Sequence, residues 1–117
     1  MKNQVMLGRI SSVDYKNGCA DVVFPDADDE IKTELPFFSA EYQMPEINEI
    51  VVVIFQRHKN RSQGFILGPV FNSGNLPESS GKNVYFKRFS KEAYMKYDGD
   101  SKILEICAPK IKLIQEE

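Results

Sequence analysis

One histidine, two cysteines and a run of carboxylates are the side chains that could do chemistry in this 117-residue chain. His58 stands in Arg57-His58-Lys59-Asn60-Arg61, and no recognisable motif places a serine or cysteine near it, so the pattern for nucleophilic catalysis is missing. It reads as a surface-loop histidine. Cys19 and Cys107 lie far apart with neither CxxC nor CxH spacing, and read as reduced packing residues rather than a metal site or redox pair. Asp26 to Glu30 places four carboxylates in five positions. A calcium loop needs spaced oxygens and a turn glycine, and this run has no glycine, so a solvated loop is expected. Gly64, Gly68 and Gly74 fit neither the P-loop nor the dinucleotide fingerprint. These residues predict no enzyme, no catalytic residue, no cofactor and no metal.

The composition, 42% hydrophobic and 27% charged with a net charge of -2, is that of a folded chain that does not coat nucleic acid by charge alone. The start Met1-Lys2-Asn3-Gln4 leads into no apolar stretch of signal-peptide length, and the longest aliphatic and aromatic run is Ile50 to Phe55, so neither a leader nor a spanning segment is expected.

β-Branched and aromatic runs separated by turn residues about every ten positions, with no sustained 3.6 period, predict an all-β chain. The expected strands are Gln4 to Tyr15, Cys19 to Phe24 after the turn Lys16-Asn17-Gly18, and Thr33 to Ser39, where Pro36 demands an edge or an irregular strand. Ala40 to Glu49 is expected to be a loop with room for one helical turn. Ile50 to Phe55 reads as a strand buried on both faces, Gln56 to Gln63 as a polar, basic loop, and Gly64 to Asn72 as a fifth strand. Five strands in about seventy residues is the size of a small barrel, spanning residues 1–75.

Ser73 to Asn83 has the composition of a linker, and residues 76–117 carry further short strands: Val84 to Phe89, Tyr94 to Tyr97, Lys102 to Ala108 and Lys110 to Ile114. They lack the apolar mass for a core of their own. Leu104-Glu105-Ile106 and Ile111-Lys112-Leu113 each put an apolar stripe on one side of a strand, and copies around a symmetry axis are the simplest cover for it. Leu104, Ile106, Ile111 and Leu113 are therefore the expected interface between copies.

Leu7-Gly8-Arg9-Ile10, Ser12-Val13-Asp14, Asn17-Gly18, Val22-Val23-Phe24-Pro25-Asp26 with Asp28-Asp29, Leu35-Pro36, Glu49 to Phe55, Gly64-Phe65-Ile66-Leu67-Gly68 and Val70-Phe71-Asn72 together resemble a known family. It is the OB-fold domain of phage baseplate spike proteins, the baseplate assembly protein V group and the related spikes of contractile injection systems. The resemblance implies a five-stranded OB-fold barrel followed by a short C-terminal β-tail that winds with two copies into a trimeric β-helix or prism, and Ile106-Cys107-Ala108-Pro109-Lys110-Ile111 is similar to the repeats that open such a prism. It implies a homotrimeric central spike beneath a baseplate hub protein, closing the tail tube and taking part in piercing the target cell envelope, with a separate spike-tip protein as a further partner. The implied location is the virion or injection particle, assembled in the bacterial cytoplasm. No His-x-His pair is present, so the iron-bound tip of some relatives is not expected.

The alternative is an OB-fold module for single-stranded nucleic acid, with Phe37, Phe38, Tyr42 and Phe55 stacking on bases and Arg57, Lys59 and Arg61 on phosphates. Residues 1–75 hold seven basic against ten acidic residues, so the barrel is net acidic and no nucleic-acid partner is expected.

Overall fold

The computed structural model describes residues 4–39, 41–58 and 61–116, with residues 57, 58, 61 and 62 described by backbone alone. The described chain is all-β: eight strands and one 3-10 turn, with no α-helix. It divides into two compact units, Met1–Asn75 and Leu76–Glu117.

The first unit is one curled sheet, a half-barrel. Its strands are β1 (Gln4–Asp14), β2 (Cys19–Phe24), β3 (Glu30–Pro36), β4 (Ile50–His58) and β5 (Arg61–Pro69), in the order β3-β2-β1-β4-β5. β1, β2 and β3 form an antiparallel meander, and the chain then returns so that β4 lies on the free side of β1. The curl brings the end of β3 to β5. Phe37 and Ile66 form an isolated parallel bridge, and the Phe38 N–H donates to the Ile66 carbonyl at 3.0 Å.

A glycine and a carboxylate permit the curl. Any side chain on Gly8 of β1 would collide with Val22 and approach the Phe24 ring to 2.9 Å, so the absence of a Cβ lets β2 fold tightly over β1. Register shifts at Ile10/Ser12 on β1 and at Ala20/Val22 against β3 mark bulges, which bend strands. Asp21 sits between them on β2, accepting from the Ser12 hydroxyl at 2.7 Å and from the Glu34 backbone N–H at 3.0 Å, with Glu34 held at a φ of 55°. Both bonds favour the carboxylate and hold its pKa below the ordinary value.

The concave side holds the core: Ile10, Ala20, Val22, Phe24, Leu35, Val51, Val53, Phe55 and Ile66, with Phe24 and Phe55 tilted at 5.4 Å between ring centroids. Ile50 to Phe55 is not buried on both faces as its composition predicted. Val51, Val53 and Phe55 are buried, whereas Ile50, Val52 and Ile54 are only half-buried, because a half-barrel encloses its inner side and leaves the outer one to solvent.

Other boundaries also move. The polar stretch is no long loop: β4 continues to His58 and β5 begins at Arg61, with Gln56 opposite Gln63 and Arg57 opposite Ser62. Cross-strand pairing overrides polarity there. β3 starts at Glu30, so the acidic run is divided: Asp26 lies in a 3-10 turn, Pro25–Ala27, Asp28 and Asp29 follow at positive φ, and Glu30 opens the strand. Its Pro36 lies at the end of a terminal strand, where a missing N–H costs least. Among the described residues of the 41–49 segment there is no helical turn. The chain instead reverses at Glu46–Glu49, where the Glu49 N–H donates to the Glu46 carbonyl and Asn48 has a φ of 74°.

In the second unit β6 (Val84–Ser90), β7 (Ala93–Asp98) and β8 (Ile103–Cys107) form an antiparallel meander. Asp98 shapes the β7–β8 turn by accepting the Asp100 N–H on its carboxylate at 2.9 Å, and Lys102 closes it at a φ of 61°.

Candidate assembly surface

Residues directly opposite on paired strands share a face, so the registers of β6, β7 and β8 sort the paired side chains of this sheet into two faces. Val84, Phe86 and Arg88 fall with Tyr94, Lys96 and Asp98 and with Ile103, Glu105 and Cys107. This face covers itself across β6 and β7, while Ile103 at the start of β8 is 56% exposed. Phe86 stacks on Tyr94 with ring centroids 5.6 Å apart, and the Arg88 guanidinium lies over both rings at 5.6 and 5.2 Å. The same guanidinium forks onto Glu78, Nη2 to Oε2 at 2.8 Å and Nε to Oε2 at 3.0 Å, which raises its pKa. The Tyr94 hydroxyl donates to Glu105 at 3.2 Å, and that bond, reinforced by the carboxylate's charge, pushes the phenol's pKa up.

The opposite face is apolar and open. Tyr85, Tyr97 and Leu104 form one row across the three strands, and Lys87, Met95 and Ile106 form the next, with the Lys87 ammonium over the Phe89 ring at 5.8 Å. No described residue from Leu76 onward is buried. A three-stranded sheet gains independent stability by packing a hydrophobic face, and here that face remains in water.

Of the four residues expected at an interface, Leu104 and Ile106 stand two apart on β8 and share this face, exposed by 55% and 51%. The structure does not bring Ile111 and Leu113 to them. Lys110 to Ile114 is not a strand of this chain, because it has no neighbouring strand to pair with among the described residues; Leu113 is 90% exposed. Tyr85, Met95 and Tyr97 belong to the same face and were not legible as such. Tyr85-Phe86 puts an aromatic on each side of β6, so alternation cannot choose between them and only the cross-strand register does.

Cys19 is buried, and burial raises its thiol pKa, as suits a packing residue. Cys107 is not one: it is exposed at the end of β8. Of the proposed base-stacking residues, Phe55 is in the core and Phe37 packs against it, so neither offers a platform. Phe38 and Tyr42 are exposed, with the Tyr42 hydroxyl donating to the Tyr15 carbonyl at 2.9 Å. Lys59 and the side chains of Arg57, His58 and Arg61 lie outside the described residues. Among the described residues no three of histidine, cysteine, aspartate and glutamate gather into a metal-holding group.

No family model matches this chain, and no curated protein matches it.

Proposed function

We propose that this chain is a homotrimeric central spike of a phage tail or contractile injection particle, a structural protein that closes the tail tube beneath a baseplate hub and takes part in piercing the target envelope. One observation carries the reading: a barrel-like unit with its own core is followed by a sheet with no buried residue and one open apolar face. Such a sheet is completed by copies of itself.

The strand connectivity supports the barrel half of the reading. A meander β1-β2-β3, the return of β4 beside β1, and a parallel contact from the end of β3 to β5 is the way a small five-stranded OB barrel closes. In the proposed trimer the three sheets turn Tyr85, Met95, Tyr97, Leu104 and Ile106 toward a common axis, and the self-covered face with Arg88 looks outward. The segment carrying Ile111 and Leu113, unpaired in one chain, becomes a strand between chains and continues the prism. The work is mechanical: it takes no cofactor, metal or nucleic acid, and its partners are the hub above, a tip protein below and the envelope it meets.

The native mass tests this directly. Light scattering on the full chain is expected to give about 40 kDa, three times the 13.4 kDa of one chain. A monomer at micromolar concentration, or a dimer near 27 kDa, twice the chain mass, refutes the three-fold reading.

A further inference from the structure

The outer side of the half-barrel presents a second apolar surface that the spike reading leaves unused. Val5 on β1, Ile54 on β4 and Phe65 on β5 form one row; Leu7 and Val52 form the next, with Gly68 opposite Val52 and Leu67 beside it in the β5 bulge. Val5, Leu7 and Leu67 are exposed by 66%, 52% and 46%. The rows are bounded by Gln56 opposite Gln63 at one end and by Arg9 at the other, where the guanidinium is held by the Asn48 side-chain oxygen at 3.0 Å. None of the ten acidic residues of the first unit lies on these two rows.

We propose that this face of β1, β4 and β5 is a contact between copies of the chain, barrel against barrel, inside the oligomer; it rests on the reading that the second unit holds the copies together. Charge selects the occupant. Residues 1–75 carry ten acidic and seven basic residues, so two copies repel across most of their barrel surfaces and meet without that cost where the surface is neutral. A basic partner is drawn instead to β2 and β3, which carry Asp21 and Glu34 as well as Glu30, the last already paired with Lys32 at 2.9 Å. Area sets the order of events. The exposed apolar surface is on the order of 500 Å², near the top of what single chains present but below the roughly 800 Å² per partner of a stable stand-alone complex. The barrels therefore join only after the second units have raised their effective concentration.

The test is thiol cross-linking of the full chain. Cys107, which is exposed, is first changed to serine, and buried Cys19 is left in place. In that background Leu7→Cys is compared with Thr33→Cys, an exposed position on the acidic side, using a short bismaleimide at micromolar protein. The expected result is a two-chain band on a denaturing gel for Leu7→Cys at least tenfold stronger than for Thr33→Cys. A trimeric native mass without the Leu7→Cys band, or with equal bands at both positions, overturns the outer-face contact and leaves the spike reading intact. A single-chain native mass with a selective Leu7→Cys band overturns the tail reading and, with it, the proposal that the barrels join only inside a tail-held oligomer. A single-chain mass with no band overturns both.

Discussion

Truncating Ile106 to alanine tests the open face of the second unit on its β8 edge. Ile106 lies opposite Met95, which in turn lies opposite Lys87, and it is 51% exposed in the single chain. Full burial of such a side chain is worth about 1.5–3 kcal/mol, so the half still exposed leaves about 1 kcal/mol per chain for association. Three chains meeting at one level lose about 3 kcal/mol together, a change of about 100-fold in the trimer dissociation constant. A monomer–trimer midpoint moves as the square root of that constant, which makes the expected shift about tenfold in concentration. Sedimentation velocity over a dilution series reads it. Glu105→Ala is the matched control: Glu105 is on the other face, where its partner is the Tyr94 hydroxyl, and its removal is expected to leave the midpoint within about twofold. Equal shifts for the two variants, or none for Ile106→Ala, would refute the assignment of the inward face.

Two further predictions concern the half-barrel. Gly8→Ala places a methyl group against Val22 and Phe24, and overpacking of this kind costs about 1–3 kcal/mol, a fall in melting temperature of roughly 5–20 °C for a unit of this size. An unchanged melting temperature would mean that β2 does not lie over Gly8. Asp21→Asn removes a carboxylate whose folded pKa is depressed, so its contribution to stability is present above the unfolded value and is lost as pH falls through the lower, folded one. The melting-temperature gap between wild type and variant is therefore expected to be widest near neutrality and to close as pH falls below the ordinary carboxylate range; a gap that widens in acid contradicts the hydrogen bonds from Ser12 and Glu34.

Much of the half-barrel is legible in the amino-acid sequence. Alternating and β-branched runs marked β1, β2, β4 and β5, Pro36 marked a terminal strand, and the turn ending at Gly18 marked the first hairpin, where Gly18 takes a φ of 65°. Such local signals act within a few residues, and the backbone obeys them wherever it sits. Leu104 and Ile106 could be paired on one face for the same reason, since they are two apart on a single strand.

What lies opposite what was decided only by the tertiary structure. The apolar run at Ile50 carries no mark of which side will be enclosed; the curl pinned by Gly8 and the Asp21 bonds buries Val51, Val53 and Phe55 and leaves Ile54 and Val52 in an outer patch with Val5 and Leu7. Tyr85, Met95 and Tyr97 joined Leu104 and Ile106 through registers that pair residues seven to twelve positions apart on different strands, which the alternation along any one strand does not specify. Ile111 and Leu113 show the opposite case: an alternation written as for a strand stays unpaired in one chain, because a strand exists only where a neighbour supplies its hydrogen bonds.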